Sequence, residues 1–331
     1  MSADRGPVEK PTRSAVRERV GAERPREAAP STARLNGLAQ RVREFVAQFT
    51  TPVAGAELPR PDPTILRRTH AIAEPICRYY FRAEVRHLER VPAGQTMLIG
   101  HHDGGLMPLD AACFGVAWYR HFDFARPLRG LMHELPFHVT SQLTRWLHGI
   151  GVVSAARANL ELLLAGGEDV LLYPGAVREA FRPYTQRRNI TLGGRTGFAA
   201  YALRHGVPVT PVVSAGGHET FFVLRRGERF ARWTGVYKYF RADAWPLAVG
   251  LPWGVWFAPM VPYLPLPSKV TVEVLPPIDL RETLSARLGR PVGAVDSTDR
   301  EVVQAGFAIV LQAMRAGVAR LYDERRWPII G

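Results

Sequence analysis

Leu98-Ile99-Gly100-His101-His102-Asp103-Gly104-Gly105 concentrates more potential chemistry than any other stretch of this chain. A short apolar run ends in two imidazoles, a carboxylate and two glycines, as when a buried strand delivers polar side chains to a sheet edge. Asp110 follows on the next element. A histidine beside a carboxylate at a strand end is the arrangement of a general base with its orienting acid, and it is equally an ordinary polar loop. Adjacent side chains diverge in extended backbone, so Asp103 needs a turn to reach His102. Gly104-Gly105 permit one.

The surrounding pattern alternates helix and strand. Ile65 to Cys77 reads as helical, interrupted at Pro75, and Phe81, Ala83 and Val85 alternate like a strand. Met97–Gly100, the stretch from Gly151, Asp169–Tyr173, Val207–Val213 and Val270–Leu275 read as strands. Helical segments are expected over 108–120, 136–148, 156–165, 195–205 and 297–325. Strands separated by helices predict an α/β fold with a mostly parallel sheet, which places sites at the carboxyl ends of strands. The His102 loop and the Pro174-Gly175 loop both lie at such ends.

Composition narrows the class. The chain has 331 residues, 47% hydrophobic and 22% charged, which suits a globular domain with a real core. Cys77 and Cys113 show no metal spacing and no disulfide framework, and the ten histidines show no ligand spacing, so no metal is expected. The net charge is +13, and 40 of the 43 basic residues are arginines. Residues 178–243 carry twelve basic and four acidic side chains, so the excess sits inside the folded part. Such a surface suits anionic lipid, nucleic acid or a phosphorylated substrate. The first residues are polar and charged, without the apolar core of a secretory signal.

Residues 1–32, rich in Pro, Ala, Glu and Arg, read as a disordered tail. Leu35, Leu38, Val42, Phe45, Val46 and Phe49 then recur at helical spacing, so 33–63 reads as an amphipathic helix and a Pro-rich linker. That helix docks on the core or lies on a membrane surface. The remaining domain is 64–331. Within it, residues 244–267 hold no charge in 24 positions but six prolines and several Trp and Tyr. The prolines forbid one continuous helix, and the aromatics favour a membrane–water interface. An irregular core lid is the competing reading.

Four blocks now stand in order: His101-His102-Asp103-Gly104-Gly105 with Asp110; Gly149 to Ser154 closing near Arg157; Tyr173-Pro174-Gly175-Ala176-Val177-Arg178-Glu179-Ala180; and Val207-Pro208-Val209-Thr210-Pro211-Val212. Together they resemble the glycerolipid acyltransferase superfamily, in its diacylglycerol-acyltransferase-like branch. The resemblance covers about 80–280 and implies a single α/β domain of that type, its mostly parallel sheet flanked by helices and preceded by the amphipathic N-terminal helix. It further implies transfer of an acyl group from a coenzyme A thioester to a lipid hydroxyl, with acyl-CoA as co-substrate and no permanently bound cofactor. By resemblance His102 is the general base, and a carboxylate fixes its tautomer.

The usual pattern puts four residues between His and Asp. Here, with four residues between, Leu106 follows His101 and Met107 follows His102, and neither is acidic. Asp110 is the preferred orienter, with Asp103 the alternative, and His101 is a support residue. In the third block Gly175 stands where the common form has Glu, Arg178 stands where it has Arg, and Glu179 follows. By this resemblance Arg157, Gly175, Arg178, Glu179 and Arg195 are the substrate-binding candidates, the arginines for acceptor or coenzyme phosphates. The expected partners are acyl-CoA, a lipid acceptor and the cytoplasmic face of the cell membrane, in peripheral or monotopic contact. No nucleic acid is expected, since base-stacking motifs are not apparent. The competing functions are a lipid esterase or thioesterase, against which the missing Gly-x-Ser-x-Gly elbow counts, and a non-catalytic anionic-lipid-binding module.

Overall fold

The computed structural model describes residues 57–105, 107–233, 245–257, 263–327 and 329–330, together with Gln40. The expected tail at 1–32 and most of the 33–63 segment lie outside the described residues. In chain order the elements are α1 (Pro63–Pro75), β1 (Glu84–Arg86), β2 (Met97–Ile99), α2 (Leu109–His121), β3 (Leu128–Met132), α3 (Ser141–Gly149), β4 (Val152–Ser154), α4 (Arg157–Ala165), β5 (Asp169–Leu172), α5 (Ala176–Ala180), α6 (Gly197–His205), β6 (Val209–Ala215), β7 (Phe222–Arg225), α7 (Glu228–Trp233), β8 (Leu247–Gly250), β9 (Gly254–Phe257), β10 (Thr271–Val274), α8 (Leu280–Leu288) and α9 (Arg300–Glu324).

Seven strands form one sheet in the order β1-β10-β6-β2-β5-β3-β4. Every neighbouring pair is parallel except β10 against β6. The central strand β2 is apolar and buried at all three positions, as a strand covered on both faces must be. Helices α4, α6, α8 and α9 contribute to the core that contains Met97, Ile99, Val209 and Val213. Helix α2, the end of α1 and β10 build a second core around Leu98, Phe114 and Trp118.

Two local features depart from the sequence expectation. Asp62 caps α1 by accepting from Thr64 N (2.8 Å) and Ile65 N (3.1 Å), and the helix is not interrupted at Pro75. It continues into a single π turn, Ile76–Tyr80. Pro75 has no N–H to donate, and a wider turn accommodates the missing bond. Strand β3 was not foreseen. Its run Leu-Arg-Gly-Leu-Met carries Arg129, which is fully buried, donates to Pro59 O at 2.8 Å and pairs with Glu168 at 3.3 Å. A charged residue inside a strand hides the apolar run that would otherwise announce it.

Helix α9 is long and apolar enough, by length and composition, to cross a membrane. One face of it is instead part of the core. Val310, Met314, Val318 and Leu321 are buried, and Gly317 lies so close to β6 that a Cβ there would meet Val213 Cγ2 at 3.0 Å. The uncharged stretch contributes β8 and β9, which with β7 form a small antiparallel sheet where Val223 and Ala248 pack on Phe221.

Candidate active site

Three adjacent parallel strands run the same way, β2 and β5 ending level and β6 running four residues further. Leu98 of β2 is in register with Leu171 of β5 on one side and Thr210 of β6 on the other. The loops after Ile99, Leu172 and Ala215 therefore leave the same carboxyl edge, and they assemble the site. Gly100 lets Tyr173 close over the end of β2, since a Cβ there would lie 2.5 Å from the Tyr173 ring. Gly104 and Gly105 adopt φ of +92° and +80°, the left-handed turn that glycine tolerates. Gly104 packs directly on the Gly217 carbonyl, and Gly105 N donates to Ala180 O at 2.8 Å. The histidine loop is thus held between α5 and the turn after β6.

His101 points inward. It is fully buried, and its Nε2 accepts from Ser214 N at 3.0 Å. Burial, then the nearby Arg182 charge, push its pKa down to about 3. His102 is partly accessible. Its carbonyl accepts from Arg182 Nη2 at 3.1 Å, and its ring lies tilted 5.3 Å from that of Tyr173. Nδ1 is buried without a hydrogen-bond partner among the described residues. Burial, with the charges of Arg182 and Arg195, holds His102 at about 4, so it is neutral at pH 7 and its lone pair is available.

Neither candidate orienter hydrogen-bonds the His102 ring. Asp110, at the start of α2, accepts from Ser214 Oγ at 2.9 Å and from the Tyr173 hydroxyl at 3.2 Å. Tyr173 therefore touches both Asp110 and His102, and the two are joined through it rather than directly. Asp103 turns the other way. It accepts from Gly217 N at 2.8 Å and from the Tyr322 hydroxyl at 3.3 Å, and lies 3.6 Å from His218 Nε2. Burial raises both acids. Asp110 rises to about 6, and Asp103 reaches about 7 with help from the Glu219 and Asp110 charges.

The sequence did not single out Arg182, Ser214, His218 or Tyr322. Arg182 is buried and its Nη2 reaches His102 O, Arg187 O (3.3 Å) and His218 Nε2 (3.2 Å). The Gly216-Gly217-His218-Glu219 turn after β6 matches the histidine loop in composition and strand-end position, a signal that could have found His218. Ser214 and Tyr322 carry no such local mark.

The residues expected to bind substrate fall into different places. Glu179 is buried, and its Oε1 accepts from Thr191 N (2.9 Å) and Leu192 N (2.8 Å), so it pins the loop that carries Arg195. Its carboxyl sits against Gly175 Cα, in the space that any side chain at 175 would need. Arg195 and Arg178 are exposed, and the Arg195 charge is felt at His102. Arg157 is exposed at the start of α4, after edge strand β4, which β5 and β3 separate from β2. A cleft of about 810 Å³ opens elsewhere, between Ile65, Phe137, Thr144 and His148, and none of these site residues lines it. Among the described residues no cluster of three or more His, Cys, Asp or Glu could hold a metal.

The family described as Diacylglycerol acyltransferase matches residues 63–287, two thirds of the chain. The chain belongs to the diacylglycerol acyltransferase family. An uncharacterised protein of Mycobacterium bovis is 28% identical over 244 residues, covering 71% of this chain and 64% of its own length. A mouse protein named DGAT1/2-independent enzyme synthesizing storage lipids is 28% identical over 194 residues, covering 58% of this chain and 55% of its own. Human diacylglycerol O-acyltransferase 2 is 26% identical over 152 residues, covering 44% of this chain and 38% of its own. The chain thus matches less than two thirds of the length of each of these relatives. All but residues 288–331 and 1–62 fall inside the family match, so Tyr322 reaches Asp103 from outside it.

Proposed function

We propose that this chain is an acyl-CoA-dependent O-acyltransferase, moving a fatty acyl group from the coenzyme A thioester to a hydroxyl of a glycerolipid or related lipid alcohol. The observation that carries this reading is His102, a neutral and partly accessible imidazole at the carboxyl edge of three parallel strands. Among the described residues its Nδ1 is buried without a hydrogen-bond partner, and in this reading the other ring nitrogen, Nε2, meets the substrate. Family membership supports acyl transfer as the reaction.

An alcohol is a poor nucleophile at neutral pH, so a base must take its proton as it attacks. In this reading His102 Nε2 accepts the hydroxyl proton while the alcohol oxygen bonds to the thioester carbonyl carbon. The C–S bond then breaks, and the departing coenzyme A thiolate takes the proton from the imidazolium. Asp110, linked through Tyr173, supplies negative charge that favours the imidazolium, and Asp103 holds the loop in place. Arg195 lies close enough to meet a coenzyme or headgroup phosphate near His102. Arg157 and Arg178 are further candidates along the same edge. The enzyme works in peripheral or monotopic contact with the cytoplasmic face of the cell membrane.

The test is incubation of purified protein with labelled acyl-CoA and a panel of lipid alcohols, alongside an acceptor-free control. Acylated lipid and free coenzyme A should form in equal amounts. Release of free fatty acid regardless of acceptor would favour the esterase or thioesterase reading instead.

A further inference from the structure

Several large apolar side chains are exposed at the carboxyl end of the large sheet. Ile72, Ile76 and Tyr79 recur at i, i+4 and i+7 along α1 and its π turn, yet they are 68%, 46% and 70% exposed. A stripe with that spacing ordinarily faces a partner. The opposite side of α1 is already packed, with Cys77 and Leu66 in the core beside Phe114 and Trp118. Tyr80, next after the stripe, is tied to the segment that reaches the histidine loop. The Tyr80 hydroxyl donates to Pro265 O at 2.8 Å, and the neighbouring Leu264 N donates to Leu251 O at 2.7 Å. Leu264 and Leu251 are themselves exposed, and Trp253 on the β8–β9 turn is 54% exposed. Tyr263, one residue earlier, stacks on Phe221 at 4.2 Å and accepts from Met107 N at 3.3 Å, just after the histidine loop.

The other flank is similar. Gly216, in the turn after β6, packs on the Lys269 carbonyl, and Lys269 N donates to Ile329 O at 2.8 Å. Trp327, at 60% exposure, and Ile330 stand beside it. The acids among these apolar groups are paired, Glu74 with Arg120 (3.5 Å), Glu324 with Arg86 (2.6 Å) and Asp323 with Arg188 (2.6 Å). Arg78, Arg82 and Arg326 are exposed, while the nearby acid Glu84 is already held by Arg86 (2.7 Å) and Lys269 (3.1 Å).

We propose that this end of the molecule is a docking face for an anionic lipid bilayer, with the His102 loop opening toward the membrane surface. Exposed Trp and Tyr match the depth of lipid headgroups, the aliphatic side chains reach the acyl boundary, and the arginines match anionic headgroups. Scattered apolar residues are normal on a protein surface, but the segments that carry these are tied to one another and to the histidine loop through Tyr80–Pro265, Arg82–Ile329, Lys269–Ile329 and Tyr263–Met107. The inference deepens the acyltransferase reading and rests on it for the purpose of the face, though not for its geometry. An acceptor lipid would enter from the bilayer without first dissolving in water.

Co-sedimentation of the full chain with phosphatidylcholine vesicles, with and without about 30 mol % phosphatidylglycerol, tests the face. Binding should require the anionic lipid. Tyr79→Ser, Trp253→Ser and Trp327→Ser should each weaken it roughly threefold to tenfold, and the triple variant by about 100-fold. Leu288→Ser, at the exposed end of α8, should bind as the wild type does. Hydrogen exchange should slow on vesicle binding across 76–82 and 251–257. Equal binding to both vesicle types, or a triple variant that binds like the wild type, would overturn the proposal. So would a triple variant that loses only self-association by light scattering. His102→Ala should still bind vesicles. Lost vesicle binding with transfer to a detergent-dispersed acceptor intact would sink the docking face alone, and lost transfer by the wild type with binding intact would sink the acyltransferase reading.

Discussion

Tyr173→Phe removes one oxygen from the point where Asp110 and His102 meet. The ring stays over Gly100 and beside His102, and only the 3.2 Å hydrogen bond to Asp110 is lost. Asp110 sits at about 6 because burial raises it while Ser214, a backbone N–H and Tyr173 lower it. Loss of a hydrogen bond worth about 1 kcal/mol to the ionised form moves its titration upward by about 0.7 pH. Ser214→Ala removes the shorter bond, at 2.9 Å, and should move it further, by about 1–2 pH. If negative charge on Asp110 favours the imidazolium of His102, the acid limb of kcat/KM reports Asp110, and both variants shift that limb to higher pH in this order. The sign for stability is separate. A carboxyl raised from 3.8 to about 6 contributes stability that is fully present below 3.8 and lost as pH rises through about 6, so either substitution costs more stability at pH 8 than at pH 5. The assay is acyl transfer from pH 5 to 9, with urea denaturation at both ends of that range. Superimposable acid limbs for wild type and both variants would show that Asp110 has no part in the reaction.

Gly175→Ala drives a Cβ into the Glu179 carboxyl that holds Thr191 and Leu192, and should cost about 1–3 kcal/mol in urea denaturation. A loss under about 0.3 kcal/mol would mean that the carboxyl moves freely. His102, lowered from 6.5 to about 4, contributes stability that is present above 6.5 and lost as pH falls through about 4. The stability of wild type relative to His102→Gln should therefore fall on acidification across that window, by up to about 1.4 kcal/mol per pH unit, and a flat difference would contradict the burial argument. Tyr322→Phe removes a donor from Asp103 and should lower stability by about 1 kcal/mol, with turnover per folded molecule within about threefold of wild type. A collapse of turnover in a folded Tyr322→Phe would move that tyrosine into the reaction itself.

What the sequence reveals follows how local each feature is. The apolar run at Met97–Ile99 and its polar sequel mark a buried strand and its carboxyl end without any structure. The order of strands and helices likewise implies a parallel α/β sheet. Gly104-Gly105 implied a turn, but that turn carries Asp103 away from His102 and toward Gly217. Gly175 looked like the loss of a carboxylate from its block, whereas Glu179 folds back into the space it leaves. Strand β3 was hidden by Arg129, whose charge is compensated by Pro59 and Glu168 far away in the chain. Tyr322 and Asp103 are 219 residues apart, and Ser214 and Asp110 are 104 apart. Contacts of that kind have no local periodicity or spacing, so only the folded chain reveals them.

His102→Ala in the purified full chain, assayed with labelled acyl-CoA and lipid alcohols, tests the general-base role most directly. Transfer should fall by about 100-fold to 10,000-fold, while the urea denaturation curve stays that of a folded protein. Wild-type turnover in the folded variant would contradict the assignment and leave the reaction without its base.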